Sequence, residues 1–188
     1  MTLSGFSINP NLKGTISKLY NTLFTCHPLP SDNFRTNWSE DLNIEIGTEV
    51  WQSILKRVHT SSICARHGVL QCKVVHRVHW SKTKLARIYP GTDPNCDKCH
   101  LGPANLAHMF WTCPTLSQFW KSVFDSLSAI TSVTIHSSPL IGLFGVLPVD
   151  HLLPSYFAEL VAFLTLLARR VISMHWKCPR PPSHIHWM

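Results

Sequence analysis

Asp93-Pro94-Asn95-Cys96-Asp97-Lys98-Cys99-His100 and, across a short loop, His108-Met109-Phe110-Trp111-Thr112-Cys113-Pro114 are the stretch on which the reading of this chain turns. The ligand pattern is Cys96-x2-Cys99-x8-His108-x4-Cys113. Zinc takes four tetrahedral ligands drawn from thiolate and imidazole. Two residues between Cys96 and Cys99 reverse the chain, so both sulfurs can converge on one ion, and Asp93-Pro94-Asn95 ahead of them is turn-forming. The second pair must arrive from beyond a loop. His108 and Cys113 would sit about 140° out of register on an ideal helix, so they converge only if the helix breaks, and Pro114 supplies a break. Cys96, Cys99, His108 and Cys113 are therefore the expected ligands of a Zn2+ ion. Three thiolates and a neutral imidazole leave the loaded site at net −1, which Lys98, between the first two sulfurs, is placed to soften. His100 is a competing ligand, although one so close to Cys99 would strain the loop. A segment this short has no core of its own and needs the metal to fold.

Outward from the knuckle the pattern is helical. Pro114 suits the first position of a helix. Leu116, Phe119, Trp120, Val123, Phe124, Leu127 and Ile130 then recur at the spacing of one buried face. Phe157–Trp176 is a second helix, apolar on most sides and so expected to be buried. On the other flank a short basic helix is expected at Lys82–Ile88, stopping before Pro90. A longer one is expected over Ser62–His79, with Ile63, Leu70, Val74 and Val78 inward and Arg66, Lys73 and Arg77 as a neighbouring stripe. Thr48 is a plausible N-cap for a helix carrying Trp51, Ile54, Leu55 and Val58. Trp38–Ile46 reads either as a short extended piece or as a helical turn. Ile16, Leu19, Tyr20 and Leu23 fall at helical spacing, and Cys26–Asn33 reads as a linker. Cys26, Cys64, Cys72 and Cys178 lack partner spacing and are read as small core residues.

Charge separates the parts. The chain carries +7 overall. Lys56, Arg57, Arg66, Lys73, Arg77, Lys82, Lys84 and Arg87 crowd residues 50–92, where no Asp or Glu occurs, so the rest is close to neutral. Such an excess favours a polyanionic partner. Charged residues make up only 14% of the chain and apolar ones 45%, which allows a real core and favours a surface that packs on something else. The seven cysteines and the absence of a basic-then-apolar start point to a reducing, intracellular setting, nucleus or cytoplasm, rather than secretion. No apolar run is long enough to span a membrane.

The run Cys96–Cys99, Ala107–Pro114 and Phe119-Trp120 resembles the zinc-binding region that follows the polymerase domain in reverse transcriptases of long interspersed elements, the LINE or non-LTR retrotransposons. Trp38–Ile44, Trp51 with Ile54 and Leu55, Ser62–His67, Lys73–His79 with Lys84 and Leu85, and the tail Leu167–Arg170 with Trp176 and Lys177 resemble its flanks. The resemblance covers roughly residues 12–188. It implies a mainly α fold, a small helical module built around a Cys3His zinc knuckle with a buried C-terminal helix. It divides the chain into a remnant of the post-polymerase linker (1–37), a basic helical segment (38–92), the knuckle (93–114), and C-terminal helices with a Pro-rich tail (115–188). It also shows what is missing. Asp32, Asp41, Asp93, Asp97, Asp125 and Asp150 are scattered, with no adjacent pair to hold the two metals of nucleotidyl transfer, and the endonuclease is absent.

The leading expectation is a non-catalytic module that binds RNA or DNA. Arg66, Lys73, Arg77, Lys82, Lys84 and Arg87 would contact phosphates, which position a partner without reading its sequence. Trp80 and Trp111 either stack on unpaired bases or pack in the core; Trp120 belongs to the core. A reverse transcriptase body bound in trans is a further expected partner; a membrane and a small-molecule substrate are not. The competing reading is a structural or protein-interaction domain, and a third is a retrotransposon-derived fragment without selected function. A catalytic reading ranks last, because a Cys3His site leaves no open coordination position and no hydrolase or phosphate-cradling motif is present.

Overall fold

The computed structural model describes residues 31–148 and 153–188. The chain forms two compact units, residues 1–33 and 34–188; the knuckle and its flanking helices belong to the second. The helix expected at Ile16–Leu23 lies outside the described residues, as does most of the Cys26–Asn33 linker; its last three residues are instead helical.

The fold is mainly helical, with no strand among the described residues. The order is α1 (Ser31–Leu42), α2 (Thr48–Thr60), α3 (Ala65–Val75), α4 (Lys82–Ile88), the knuckle, α5 (Ser117–Thr131), α6 (Pro139–Phe144) and α7 (Ser155–Met174). Among the described residues no helix is long and apolar enough to cross a membrane.

The ambiguous Trp38–Ile46 stretch is the end of α1 and its exit. Asn43 takes a left-handed conformation (φ 51°), and the N–H of Ile44 returns to the Ser39 carbonyl at 3.0 Å. This is a Schellman stop with Asn where it is tolerated best. In α2, Trp51, Ile54 and Val58 are buried as the spacing predicts. Its N-cap is Gly47 rather than Thr48; the Thr48 hydroxyl accepts from Arg35 instead.

Helix α3 is shorter than the expected Ser62–His79. Arg77 is left-handed (φ 55°), its N–H bonds the Val74 carbonyl at 3.0 Å, and the N–H of Val78 bonds that of Lys73 at 2.8 Å. These two bonds close a Schellman motif with arginine in the usual glycine position. The Val75 carbonyl is capped from outside by the buried Trp38 indole Nε1, at 3.1 Å. Val74 is buried, while Ile63 and Val78 fall outside the helix and are exposed. Cys64 and Cys72 are exposed and Cys178 half-buried, so the three described off-site cysteines are not core residues.

A 3-10 turn at Pro114–Leu116, which buries Leu116, stands where the helix was expected to begin; α5 follows it and buries the rest of the expected stripe except Ile130, which is 47% exposed. Helix α7 starts and ends two residues before the expected bounds and packs against α6. Two buried polar side chains explain how a helix as short as α6 ends inside the core. Arg169 of α7, with no exposed surface, donates to the Gly142 carbonyl at 2.5 Å. Gln71 of α3 donates to that of Phe144 at 3.4 Å. Both satisfy C-terminal carbonyls that have no partner within the helix, and the guanidinium sits at the negative end of the dipole. Burial pulls Arg169 down to about 9, which still leaves it charged at neutral pH.

Candidate metal centre

The knuckle begins with the expected turn. The Asp93 carboxylate accepts from the Asn95 N–H at 3.0 Å. Asn95 and Pro103 form an antiparallel bridge, and the Cys96 N–H donates to the Gly102 carbonyl at 3.0 Å. Gly102 adopts φ 145°, open to glycine and strained for other residues. The His100 N–H closes onto the Cys96 carbonyl at 3.0 Å, which holds both cysteine side chains on one side.

The far half uses a wider turn, not the clean break expected at Pro114. His108–Thr112 is a π-helical turn, and the Cys113 N–H bonds the His108 carbonyl five residues back at 3.1 Å. A π-turn closes i to i+5, which brings the two five-spaced ligands together. Pro114 has a further effect. In an α-helix the Phe110 carbonyl would accept from residue 114, but proline has no N–H. The buried Trp120 indole donates to that carbonyl instead, at 2.8 Å.

Cys96, Cys99, His108 and Cys113 converge, with one donor atom each and all four within 4.8 Å of one another. This set can hold a metal ion. The Cys96 and Cys113 sulfurs are 3.8 Å apart, far beyond a disulfide bond. His108 Nε2 is 3.3 Å from Cys99 Sγ. His100 is exposed and is not part of the cluster.

The electrostatics differ from ligand to ligand. Burial raises the Cys96 thiol, but donation to its sulfur from the backbone of Cys99 and Lys98 outweighs this and leaves it below its ordinary value. Lys98 therefore helps through its N–H, 3.4 Å from Cys96 Sγ; its ammonium instead caps the Trp176 carbonyl at 3.2 Å. Burial pushes Cys113 up to about 11, against the Thr115 hydroxyl 2.9 Å from its sulfur. Burial lowers His108, so its imidazole is neutral at neutral pH, the form that ligates.

Contacts from both flanks position the knuckle. Lys82 pairs with Asp97 at 2.9 Å. The Asn105 carboxamide accepts the His108 N–H at 2.7 Å and donates to Asp41 at 3.1 Å. Asp41 in turn accepts from Arg77.

The six basic residues expected to touch phosphate are not equivalent. Arg66, Lys73 and Arg87 are exposed, with no ion pair among the described residues. Lys84 lies over the Trp80 ring at 4.8 Å and Lys82 is held by Asp97. Arg77 does not continue the helical stripe: it pairs with Asp41, donates to the Asn37 carbonyl at 3.3 Å and lies over Trp38 at 4.7 Å. Five of the six border two grooves that meet at His79. Lys73 and Lys82 line one of about 580 Å³. Arg77, Lys84 and Arg87 line the other, of about 660 Å³. Lys177 and Trp176 also line the first groove; no sequence signal placed them beside Lys73. Trp80 is 53% exposed. Trp111 packs against Trp120 with ring centroids 5.0 Å apart and presses on Gly142, so it is a packing residue and not a free platform.

No family model matches the chain.

Proposed function

We propose that the chain is a non-catalytic, zinc-binding module that grips RNA or DNA through its phosphates. The observation that carries it is the gathering of Lys73, Lys82, Lys84 and Arg87 around two adjoining grooves beside a four-ligand knuckle. Zinc fits the donor set in kind and in size. Zn–S bonds near 2.3 Å at tetrahedral angles place two sulfurs about 3.8 Å apart, and a sulfur and an imidazole nitrogen about 3.6 Å apart. The corresponding separations are 3.8 and 3.3 Å. Four protein ligands leave no position for a reactive water, so the ion's role is to fold the segment. The likeness to the region after the polymerase in LINE reverse transcriptases supports the same reading, with a polymerase body in trans as a second partner.

The test is binding to a nucleic acid of random sequence across a salt series. Phosphate contacts predict affinity that falls steeply with salt. Changing Lys73 and Arg87 together to Ala should flatten that slope by about two contacts. Arg77 is left out because it is already paired.

A structural or protein-interaction domain is the second reading, favoured by Ile63, which has no covering side chain, and by Val69, 54% exposed on α3. An apolar dock would be indifferent to salt.

A further inference from the structure

The groove beside the knuckle has a character that phosphate gripping alone does not require. Its walls include two tryptophans, Trp80 and Trp176, together with Lys73 and Lys177. At about 580 Å³ it falls within the usual size range of ligand sites. Trp176 is a fixed wall, packed on Phe110 and His79 at centroid distances of 5.0 and 5.3 Å. Its Nε1 donates to the Trp80 carbonyl at 3.0 Å, which ties the two walls together. Trp80 keeps 53% of its surface exposed, although tryptophan normally buries most of its area. Lys84, which lies outside this groove's lining, steadies the ring from 4.8 Å. The carboxylate in the lining, Asp97, is held by Lys82, so Lys73 and Lys177 are left to face an anion.

We propose that this groove is a receptor for one unpaired nucleotide of a single strand, with the base stacked on Trp80 and the neighbouring phosphates on Lys73 and Lys177. The inference rests on the nucleic-acid reading above and specifies its partner. An aromatic face set between cations is the recurring solution for single strands, because every base offers a π-face and every linkage a charge. A base inside a duplex has both faces occupied by its neighbours and reaches such a wall only by unstacking. The shared chemistry of bases makes the receptor tolerant of sequence.

The experiment compares fluorescence anisotropy of a labelled oligothymidine strand, an abasic strand with the same number of phosphates, and a duplex, all on the zinc-loaded full chain. The wild type should bind oligothymidine roughly tenfold more tightly than the abasic strand, and Trp80→Ala should erase that preference. Equal affinity of the wild type for the abasic and oligothymidine strands would overturn the receptor, and this comparison needs no variant. If both strands still bind in a salt-dependent way, the phosphate grip survives that failure. If the wild type binds none of the three ligands, both readings fall.

Discussion

Asp41 and Arg77, thirty-six residues apart, form an ion pair whose carboxylate also receives the Asn105 amide that caps the His108 turn. A residue of the basic segment is thereby joined to a member of the candidate metal cluster through three side chains. Both partners are about four-fifths shielded, at 20% and 24% exposure. The pair therefore falls between a surface bridge, worth under about 1 kcal/mol, and a buried one, whose breakage costs about 3–5 kcal/mol. Arg77→Ala and Asp41→Ala should each destabilise by about 1–3 kcal/mol in urea unfolding, and the double variant by little more than either. Strictly additive losses would show that the two side chains act independently. Asp41→Ala should also lose metal to a chelator faster than Glu49→Ala, a change in the first turn of α2.

How much of this was legible depended on whether the cause was local. The four clustered residues Cys96, Cys99, His108 and Cys113 and the Lys82–Ile88 helix are written in adjacent residues. Pro114 does open a helical stretch, but as a 3-10 turn ahead of α5. The end of α3 was not legible, because residue 77 is not glycine and nothing nearby marks a stop. The Trp38 indole that caps Val75 and the carboxylate that holds Arg77 both come from α1. The same holds for Arg169, which looks like a solvated charge in sequence and is buried because it ends α6. For His108 and Cys113 the spacing showed that a regular helix must fail, but not that the backbone would widen into a π-turn.

Gly142 is a position where a methyl group does not fit. A Cβ there would lie 2.3 Å from Cζ3 of Trp111, a ring wedged between Trp120 and Phe124. Overpacking of this kind costs about 1–3 kcal/mol, so Gly142→Ala should lower the melting temperature by several degrees, roughly 2–4 °C per kcal/mol for a chain of this size. Trp111→Leu in the same chain removes the obstructing ring and should recover part of the loss. A double variant less stable than the sum of the two singles would show that the ring is not what Gly142 makes room for.

Trp120 should prove more than a filler of the α5 face. Its Nε1–H serves the Phe110 carbonyl that Pro114 cannot. Trp120→Phe keeps most of the apolar contact and removes the donor, leaving a buried carbonyl unpaired at a cost of about 1–3 kcal/mol. The loss should be accompanied by weaker metal retention, since the orphaned carbonyl lies inside the His108–Thr112 turn. The check is thermal unfolding alongside metal content after dialysis. Unchanged stability in Trp120→Phe would show that the bond contributes nothing net.

Acid should release the metal, and the pKa shifts give the sign. In the metal-free site Cys113, pushed up to about 11 by burial, carries its proton at neutral pH, while His108, held below 6.5 by burial, carries none on its ligating nitrogen. Metal takes thiolate and neutral imidazole, so loading expels the Cys113 proton and leaves His108 unchanged. Affinity therefore rises with pH throughout the neutral range and falls as pH drops, by roughly tenfold per unit for each proton expelled. His108 adds to the loss only once acid protonates its imidazole, which burial delays. Competition with a chromophoric chelator at several pH values gives this slope, and proton release into a weak buffer gives it independently. Cys113→Ser should bind more weakly and with a shallower slope. An affinity that does not change between pH 6.5 and 8 would mean that Cys113 is not a ligand.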